Sequence, residues 1–168
     1  MGAFQVNVAR LRKEVGARRH ELRRGPADPD HALTPATSAD SRLPEGAEAV
    51  CDVVLDSYPG GIMVTGTVSV PWTGVCRRCI APVGGQLEVE VRERFSPDPD
   101  DEAYPIVDDE LDLQVLVHDV VATELPLAPL CDVGCRGLCP QCGADRNVES
   151  CSCVAPRDPR WASLDALR

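Results

Sequence analysis

The stretch AVCDVVLDSYPGGIMVTGTVSV, residues 49–70, decides the fold that this sequence predicts. Hydrophobic residues alternate with polar or small residues on both sides of YPGG, and this period of two is typical of β-strands that bury one face. Two such strands joined by a glycine-containing turn predict a β-hairpin. The positions that we expect to face the core are Cys51, Val53, Leu55, Ile62, Val64, Val68 and Val70.

A third strand is predicted in QLEVEVRERF, residues 86–95, where Leu87, Val89 and Val91 alternate with charged residues. The motif CRRC, residues 76–79, falls between the second and third strands. The three strands therefore predict an antiparallel meander that carries CRRC at one end of the sheet.

One amphipathic helix is predicted in LDLQVLVHDVVATEL, residues 111–125. Asp109 or Asp112 lies near its positive N-terminal end, and Pro126 ends it. We predict an α+β fold, a β-rich antiparallel meander covered by one main helix and followed by a cysteine-rich zinc-binding region. The apolar stripe of the helix is Leu113, Leu116, Val117, Val120, Val121 and Leu125.

Composition divides the chain into four segments. Residues 1–25 carry seven basic and two acidic residues and form a basic N-terminal arm, for which we consider RNA contact, a solvated segment or a strand of the body. Residues 26–44 lack a hydrophobic period and predict a linker or loop, residues 45–130 form the sheet and helix body, and residues 131–168 form the zinc-binding region. Residues 96–110 hold seven acids and three prolines and predict a solvated, mobile loop.

The chain contains nine cysteines, and their chemistry depends on the redox compartment. Residues 1–20 have no apolar segment of the kind found in secretory signals, and no run approaches the ~18 apolar residues of a membrane span. We therefore expect a cytoplasmic protein with no membrane partner, in which most cysteines bind metal rather than form disulfides.

Eight cysteines form four closely spaced pairs, which are Cys76 and Cys79, Cys131 and Cys135, Cys139 and Cys142, and Cys151 and Cys153. The grouping favoured by short loop closure joins the first pair with the second and the third with the fourth. The alternative joins the two CxxC pairs, as in a zinc ribbon, and leaves the other two pairs together. Both groupings predict two structural zinc ions.

Four thiolates fill the tetrahedral shell of zinc and leave no open position for a reactive water. Apparent binding energies of ~10 to 16 kcal/mol in small zinc peptides rival the ~5 to 15 kcal/mol stability of a whole domain, so zinc would decide whether the C-terminal region folds. We predict no catalytic residue, and we expect the remaining cysteine, Cys51, to be a buried apolar residue.

The motifs GVCRRC, ELPLAPLC, CRGLCPQCGADRN, CSC and DPRWASLDAL, with the acidic stretch between the first two, resemble the bacterial YceD-like family. That family is named for accumulation of the large-subunit ribosomal RNA. The resemblance implies a small cytoplasmic accessory factor, with no chemistry of its own, that is required for normal levels of this RNA. Its partner would be large-subunit ribosomal RNA or a ribosome-assembly protein, and no small-molecule substrate is expected.

The formal net charge of −10 argues against a protein that simply coats phosphate, because affinity for nucleic acid comes mainly from basic residues. Arginines nevertheless flank the cysteine motifs and predict a local positive patch on an acidic body. The residues that we expect to contact RNA or a partner are Arg77, Arg78, Arg136 and Arg146.

An alternative function is a zinc–thiolate redox switch or redox-regulated chaperone. Oxidation of CxC and CxxC thiols would eject the metal and unfold the C-terminal region. Release of zinc by peroxide together with a gain of holdase activity would favour this alternative.

Overall fold

The structure is a computed structural model that describes residues 2–27, 40–98, 102–154 and 160. It is mostly β, with eight strands, a short 3-10 helix at Leu11–Lys13 and one α-helix within the described residues. Most of the predicted linker and the DPRWASLDAL motif lie outside the described residues. The strands are β1 (Gln5–Asn7), β2 (Arg18–Pro26), β3 (Ser41–Arg42), β4 (Glu48–Tyr58), β5 (Gly61–Val75), β6 (Pro82–Ser96), β7 (Ala103–Val107) and β8 (Glu110–Asp112), and the helix is α1 (Gln114–Glu124).

The predicted hairpin and meander form the centre of one sheet. β4 pairs antiparallel with β5, and Tyr58 lies opposite Gly61 at the turn. β5 also pairs antiparallel with β6, so that Val68 lies between Cys51 of β4 and Val89 of β6. The hairpin turn requires a small residue, since a Cβ on Gly61 would lie 2.1 Å from the carbonyl oxygen of Phe95. The alternation in residues 49–70 is therefore confirmed as the core of the fold.

The predicted three-strand antiparallel meander is confirmed, but the prediction that residues 96–110 form a mobile loop is wrong for part of that stretch. β7 lies within the acidic stretch that we predicted as a mobile loop, and it pairs with β6 in parallel, with Tyr104 opposite Phe95. The rings of these two residues lie 5.2 Å apart, and Ile106 is buried. Apolar contacts at alternate positions therefore hold a strand between acidic neighbours.

Residues of the predicted basic arm belong to the same sheet. β2 pairs with β4 along its whole length, and β1 pairs with β8. β1 and β2 therefore form the two opposite edges of the sheet. The edges approach each other where Arg19 donates a hydrogen bond of 2.9 Å to the carbonyl oxygen of Asn7. A Cβ on Gly25 would lie 2.5 Å from that of Ala3. The sheet thus curls toward closure over its own core, which includes Phe4.

The helix is shorter than predicted, because Leu111 belongs to β8. Its buried residues are Leu116, Val117, Val120 and Val121, as predicted, and Leu113 and Leu125 are buried at its ends. Asp112 accepts a hydrogen bond of 2.9 Å from the backbone N–H of Gln114 at the start of the helix.

The statement that one main helix covers the sheet needs correction. Eleven residues give a helix of about 16 Å, whereas β5 and β6 have 15 residues each and span about 50 Å. The helix packs against part of these two strands, and the curled sheet encloses the rest of the core. Among the described residues, no helix has the length and apolar character needed to cross a bilayer.

Candidate metal centres

Four cysteines meet at the end of the sheet and form what we call the first centre, which consists of Cys76, Cys79, Cys131 and Cys135. The Sγ atoms of Cys76 and Cys135 are 3.8 Å apart, and those of Cys79 and Cys131 are 3.5 Å apart. Ligands about 2.3 Å from a tetrahedral zinc ion lie about 3.8 Å from one another, whereas disulfide sulfurs lie about 2.05 Å apart. All nine cysteines are free thiols, so the donor set of the first centre fits a metal ion.

The second centre consists of Cys139, Cys142, Cys151 and Cys153. In each centre the four sulfur atoms lie within 4.8 Å of one another. The structure thus brings the sulfurs together in the grouping that short loop closure favours, and it separates the two CxxC pairs that a zinc-ribbon grouping would join. Cys51 belongs to neither centre and is fully buried in the core, where burial raises the pKa of its thiol to about 12.

The two CxxC turns, which we call the first knuckle (residues 76–81) and the second knuckle (residues 139–144), have the same backbone construction. In the first knuckle the backbone N–H of Cys76 donates to the carbonyl oxygen of Ala81 over 2.7 Å. The carbonyl oxygen of Cys76 accepts from the backbone N–H of Ile80 over 2.8 Å. In the second knuckle, the equivalent hydrogen bonds of Cys139 to the carbonyl of Ala144 and from the N–H of Gly143 are 2.8 and 2.9 Å. The residue after the CxxC motif is left-handed in both, with φ of 63° at Ile80 and 75° at Gly143.

One thiol in each centre is favoured as the thiolate. Burial opposes ionisation of Cys76, but backbone N–H groups, including that of Cys131, outweigh it and lower its pKa to about 6. Backbone N–H groups of Cys142 and Gln141 likewise lower the pKa of Cys139 to about 6. Hydrogen bonds with neighbouring cysteine side chains raise the pKa of Cys131 to about 12, as they do for Cys153. A metal cation would displace these remaining protons, because metals bind cysteine as thiolate.

The centres differ in burial. Cys76, Cys79 and Cys135 of the first centre are buried beside Ala81, Val83 and Leu138, which form a small apolar cluster at the sheet end, and Cys131 is exposed. In the second centre only Cys139 is buried, while Cys142 and Cys153 are exposed and Cys151 is half-buried. Solvent therefore reaches most of the ligands of the second centre.

The four arginines that we expected to contact RNA have different surroundings. Arg78 donates from Nη1 to the carbonyl oxygens of Val133, over 3.3 Å, and Cys135, over 2.9 Å. Its own carbonyl oxygen accepts the backbone N–H of Leu138 over 2.9 Å. Arg78 therefore joins the first knuckle to the segment before the second knuckle, a structural role that its position in the sequence did not indicate.

All four arginines are exposed, but the other three are placed differently from Arg78. Arg136 and Arg146 line a cleft of about 740 Å³ beside the second centre, together with Gln141 and Asn147. Arg77 lies at the tip of the first knuckle, where its backbone N–H donates to the carbonyl of Pro129 over 2.9 Å. The cleft is thus the place where two of the predicted arginines are brought together.

Asn147 is a site residue that our sequence reasoning missed. Its Nδ2 atom lies 3.4 Å from Sγ of Cys135, one of the four cysteines of the first centre. The residue stands in the motif GADRN between the two halves of the second centre, and this position alone gives no signal of a contact with the first.

Comparisons with known proteins address function. The family described as the large ribosomal RNA subunit accumulation protein YceD matches residues 64–168, a range that contains all eight clustered cysteines. An uncharacterized protein of Mycobacterium tuberculosis is 36% identical over an alignment of 169 positions. The alignment covers 95% of this chain and 78% of that protein.

Two plant proteins share a shorter region and bear the name large ribosomal RNA subunit accumulation protein YCED homolog 1, chloroplastic. The protein of Zea mays is 38% identical over 60 residues, 36% of this chain and 20% of its own length. The protein of Arabidopsis thaliana is 34% identical over 60 residues, which is 35% of this chain and 19% of its own length. No solved structure matches this chain.

Proposed function

Because the chain belongs to the YceD family of large ribosomal RNA subunit accumulation proteins, we propose that it is a non-catalytic accessory factor that promotes accumulation of this RNA. The family match over residues 64–168 is the observation that carries the proposal, since it spans most of β5, all of β6, β7, β8 and α1, and both cysteine centres. The grouping of eight cysteines into two tetrads of the kind that bind metal supports action in a reducing compartment, which we propose is the cytoplasm.

We propose that each centre holds one structural zinc ion. Cys76, Cys79, Cys131 and Cys135 would bind the first ion, and the four cysteines of the second centre would bind the other. Thiolates are the soft ligands that zinc accepts in structural sites, and the ion of the first centre would cross-link residues 76–79 to residues 131–135. Four sulfurs complete a tetrahedral shell, and this donor set supports a structural rather than a catalytic role.

We propose that the positive side of the cleft beside the second centre contacts large-subunit ribosomal RNA. Arg136 and Arg146 are exposed and line the same cleft, and planar guanidinium groups bind phosphate oxygens well. The net charge of −10 confines such contact to a small area, so binding would be local and its salt dependence shallow, because few phosphates are neutralised. Contact with a ribosome-assembly protein instead is an outcome that the same experiment can detect.

The proposal is tested by depleting the protein and measuring the ratio of large-subunit to small-subunit ribosomal RNA. We expect the ratio to fall and to be restored by the wild-type gene. The combined variant Arg136→Glu with Arg146→Glu should restore it poorly. A matched control, Arg24→Glu with Arg92→Glu, makes the same charge change on exposed strand positions and should restore it fully. An unchanged ratio after depletion would contradict the proposed function.

Crosslinking in cells, followed by identification of bound RNA and protein, separates the two kinds of partner. Large-subunit RNA crosslinked to residues 136–146 supports direct contact. A crosslinked assembly protein with no RNA would contradict direct contact and leave the accessory role in place.

The exposure of Cys142 and Cys153 favours one second candidate, the redox-regulated zinc–thiolate switch. We expect peroxide to distinguish the two functions in purified protein. Zinc release that is accompanied by suppression of aggregation of an unfolded client would support the switch, and release without such activity would argue against it.

A further inference from the structure

The side chain of Asn147 lies between the two cysteine centres. Its Nδ2 atom donates toward Sγ of Cys135 over 3.4 Å, and its Oδ1 atom accepts the backbone N–H of Arg136 over 2.7 Å. Cys135 is a ligand of the first centre, whereas Asn147 belongs to the loop between Cys142 and Cys151 of the second. One amide group thus connects the ligand shell of one centre with the loop of the other.

The loop determines how this amide is oriented. Oδ1 of Asp145 accepts from Nδ2 of Asn147 over 2.7 Å and from its backbone N–H over 2.9 Å. The backbone of Asp145 pairs in turn with Leu138, next to the second knuckle. Both amide protons and the amide oxygen of Asn147 therefore have partners, and exchange of the oxygen and nitrogen atoms would break all three contacts.

Backbone hydrogen bonds, rather than apolar packing, hold this loop to the segment before the second knuckle, since Arg146 donates to the carbonyl oxygen of Gly137 over 3.0 Å. Asn147 is exposed, and its neighbour Val148 is 86% exposed, so no apolar side chain at this point anchors the loop to the core. Cys142 and Cys151 stand on either side of the loop, and a metal ion bound to both would close it. The position of Asn147 therefore depends on these hydrogen bonds together with closure of the second centre, which holds both ends of the loop.

We propose that Asn147 is a positioning residue that couples the two centres. Metal binding at the second centre closes the loop, the closed loop places the Asn147 amide on Cys135, and this contact tightens metal binding at the first centre. The inference rests on the proposed zinc occupancy and goes beyond it, since two zinc ions can also bind independently.

The expected size of the effect follows from the chemistry of the contact. A thiolate that accepts an N–H hydrogen bond is stabilised as an anion, and loss of such an outer contact changes metal affinity about 10- to 100-fold. The coupling is reciprocal, because a filled second centre that strengthens the first must itself be strengthened when the first is filled.

The test uses the full, reduced, zinc-loaded chain challenged with EDTA. Iodoacetamide is added at successive times, and peptide mass spectrometry gives the alkylation rate of Cys131 for the first centre and of Cys153 for the second. We expect Cys131 to react about tenfold faster in Asn147→Ala and in Cys142→Ser. The double variant should react no faster than either single variant, because both changes remove one coupling.

Val148→Ala is the matched control, since it truncates the exposed neighbour of Asn147 in the same turn and should leave the Cys131 rate unchanged. An unchanged rate in either single variant, or effects that multiply in the double variant, would overturn the coupling. If the two zinc ions leave independently of each other, the coupling is wrong but the proposed zinc occupancy stands. A wild-type chain that binds no zinc overturns both the coupling and the proposed occupancy.

Discussion

The two cysteine centres each consist of four cysteines and share one knuckle geometry, yet they lie on different elements of the fold. The first knuckle is the turn between β5 and β6, and three of its centre's four cysteines are buried. The second centre lies on a loop after the helix, and only Cys139 is buried there. Identical donor sets can therefore sit in a rigid, apolar setting or in an open one within the same chain.

The difference shows that the spacing of the cysteines in the sequence determines which sulfur atoms meet. The elements that carry the cysteines determine which part of the fold a bound metal would stabilise. The first centre joins the sheet end to residues 131–135 and shares its apolar cluster with Val83 of β6. A metal there would support the sheet. A metal at the second centre would support mainly its own loop, because Val148 and Val154 are exposed beside it.

The strongest test of this contrast replaces one ligand in each centre. Cys76→Ser should lower the melting temperature of the sheet by about 10 °C, and Cys142→Ser by about 4 °C, because only the first centre is built into the sheet and the second affects it through a roughly tenfold change in metal affinity. Scanning calorimetry gives the temperatures, and hydrogen exchange should show loosening after Leu138 in Cys142→Ser with β4 and β5 still protected. Equal losses in the two variants would contradict the contrast.

Cys51 provides a thiol that belongs to the sheet and to neither centre. Cys51→Ser should lower the free energy of unfolding by about 1 to 3 kcal/mol, because it buries a hydroxyl group among apolar neighbours. Zinc stoichiometry should remain that of the wild type, as measured by elemental analysis. Loss of one zinc ion in this variant would show that Cys51 is a ligand after all.

Oxidation should distinguish the centres by exposure. With limiting peroxide we expect the second centre to lose zinc roughly tenfold faster than the first, because exposed thiolates oxidise most readily. Peptide mass spectrometry would assign each oxidised cysteine, and a zinc-sensitive dye would follow release. Release from both centres at one rate would show that burial does not protect the first.

The parts of the fold that sequence predicts are those in which burial follows a simple period. Cys51, Val53 and Leu55 alternate with less buried residues along β4, and the cysteine spacings place the knuckles. β2 lacks this signal, because Glu21 lies between Arg19 and Arg23 at distances of 2.7 and 2.8 Å, so that ion pairs replace apolar contacts on that face. Charge alone could not separate such a strand from a solvated arm.

β7 was missed for a different reason. Its five residues provide too few positions for a period, and its parallel pairing with β6 depends on contact between Phe95 and Tyr104. Local acidity indicated a solvated loop, whereas two aromatic rings and one buried isoleucine favoured a strand. In the candidate site, the contacts of Arg78 and Asn147 were likewise invisible, since they join segments whose proximity only the folded chain creates.

The smallest expected effect concerns the residue after each CxxC motif. Ile80 is left-handed and 64% exposed, an unfavourable conformation for a β-branched residue, whereas Gly143 adopts the same region without a Cβ. Ile80→Gly should stabilise the first knuckle by about 1 kcal/mol, and Gly143→Ala should destabilise the second by about the same amount. Native-state hydrogen exchange at residues 76–81 and 139–144 measures both.

The sign of the Ile80→Gly effect decides what the strain means. If the first knuckle is stabilised, its left-handed Ile80 is a source of strain that the fold accepts. The second knuckle has no such strain, because Gly143 occupies the equivalent position. A destabilised first knuckle would show that the side chain of Ile80 supports the first centre through contacts that outweigh the strain, and the two knuckles would then differ in their turns as well as in the elements that carry them.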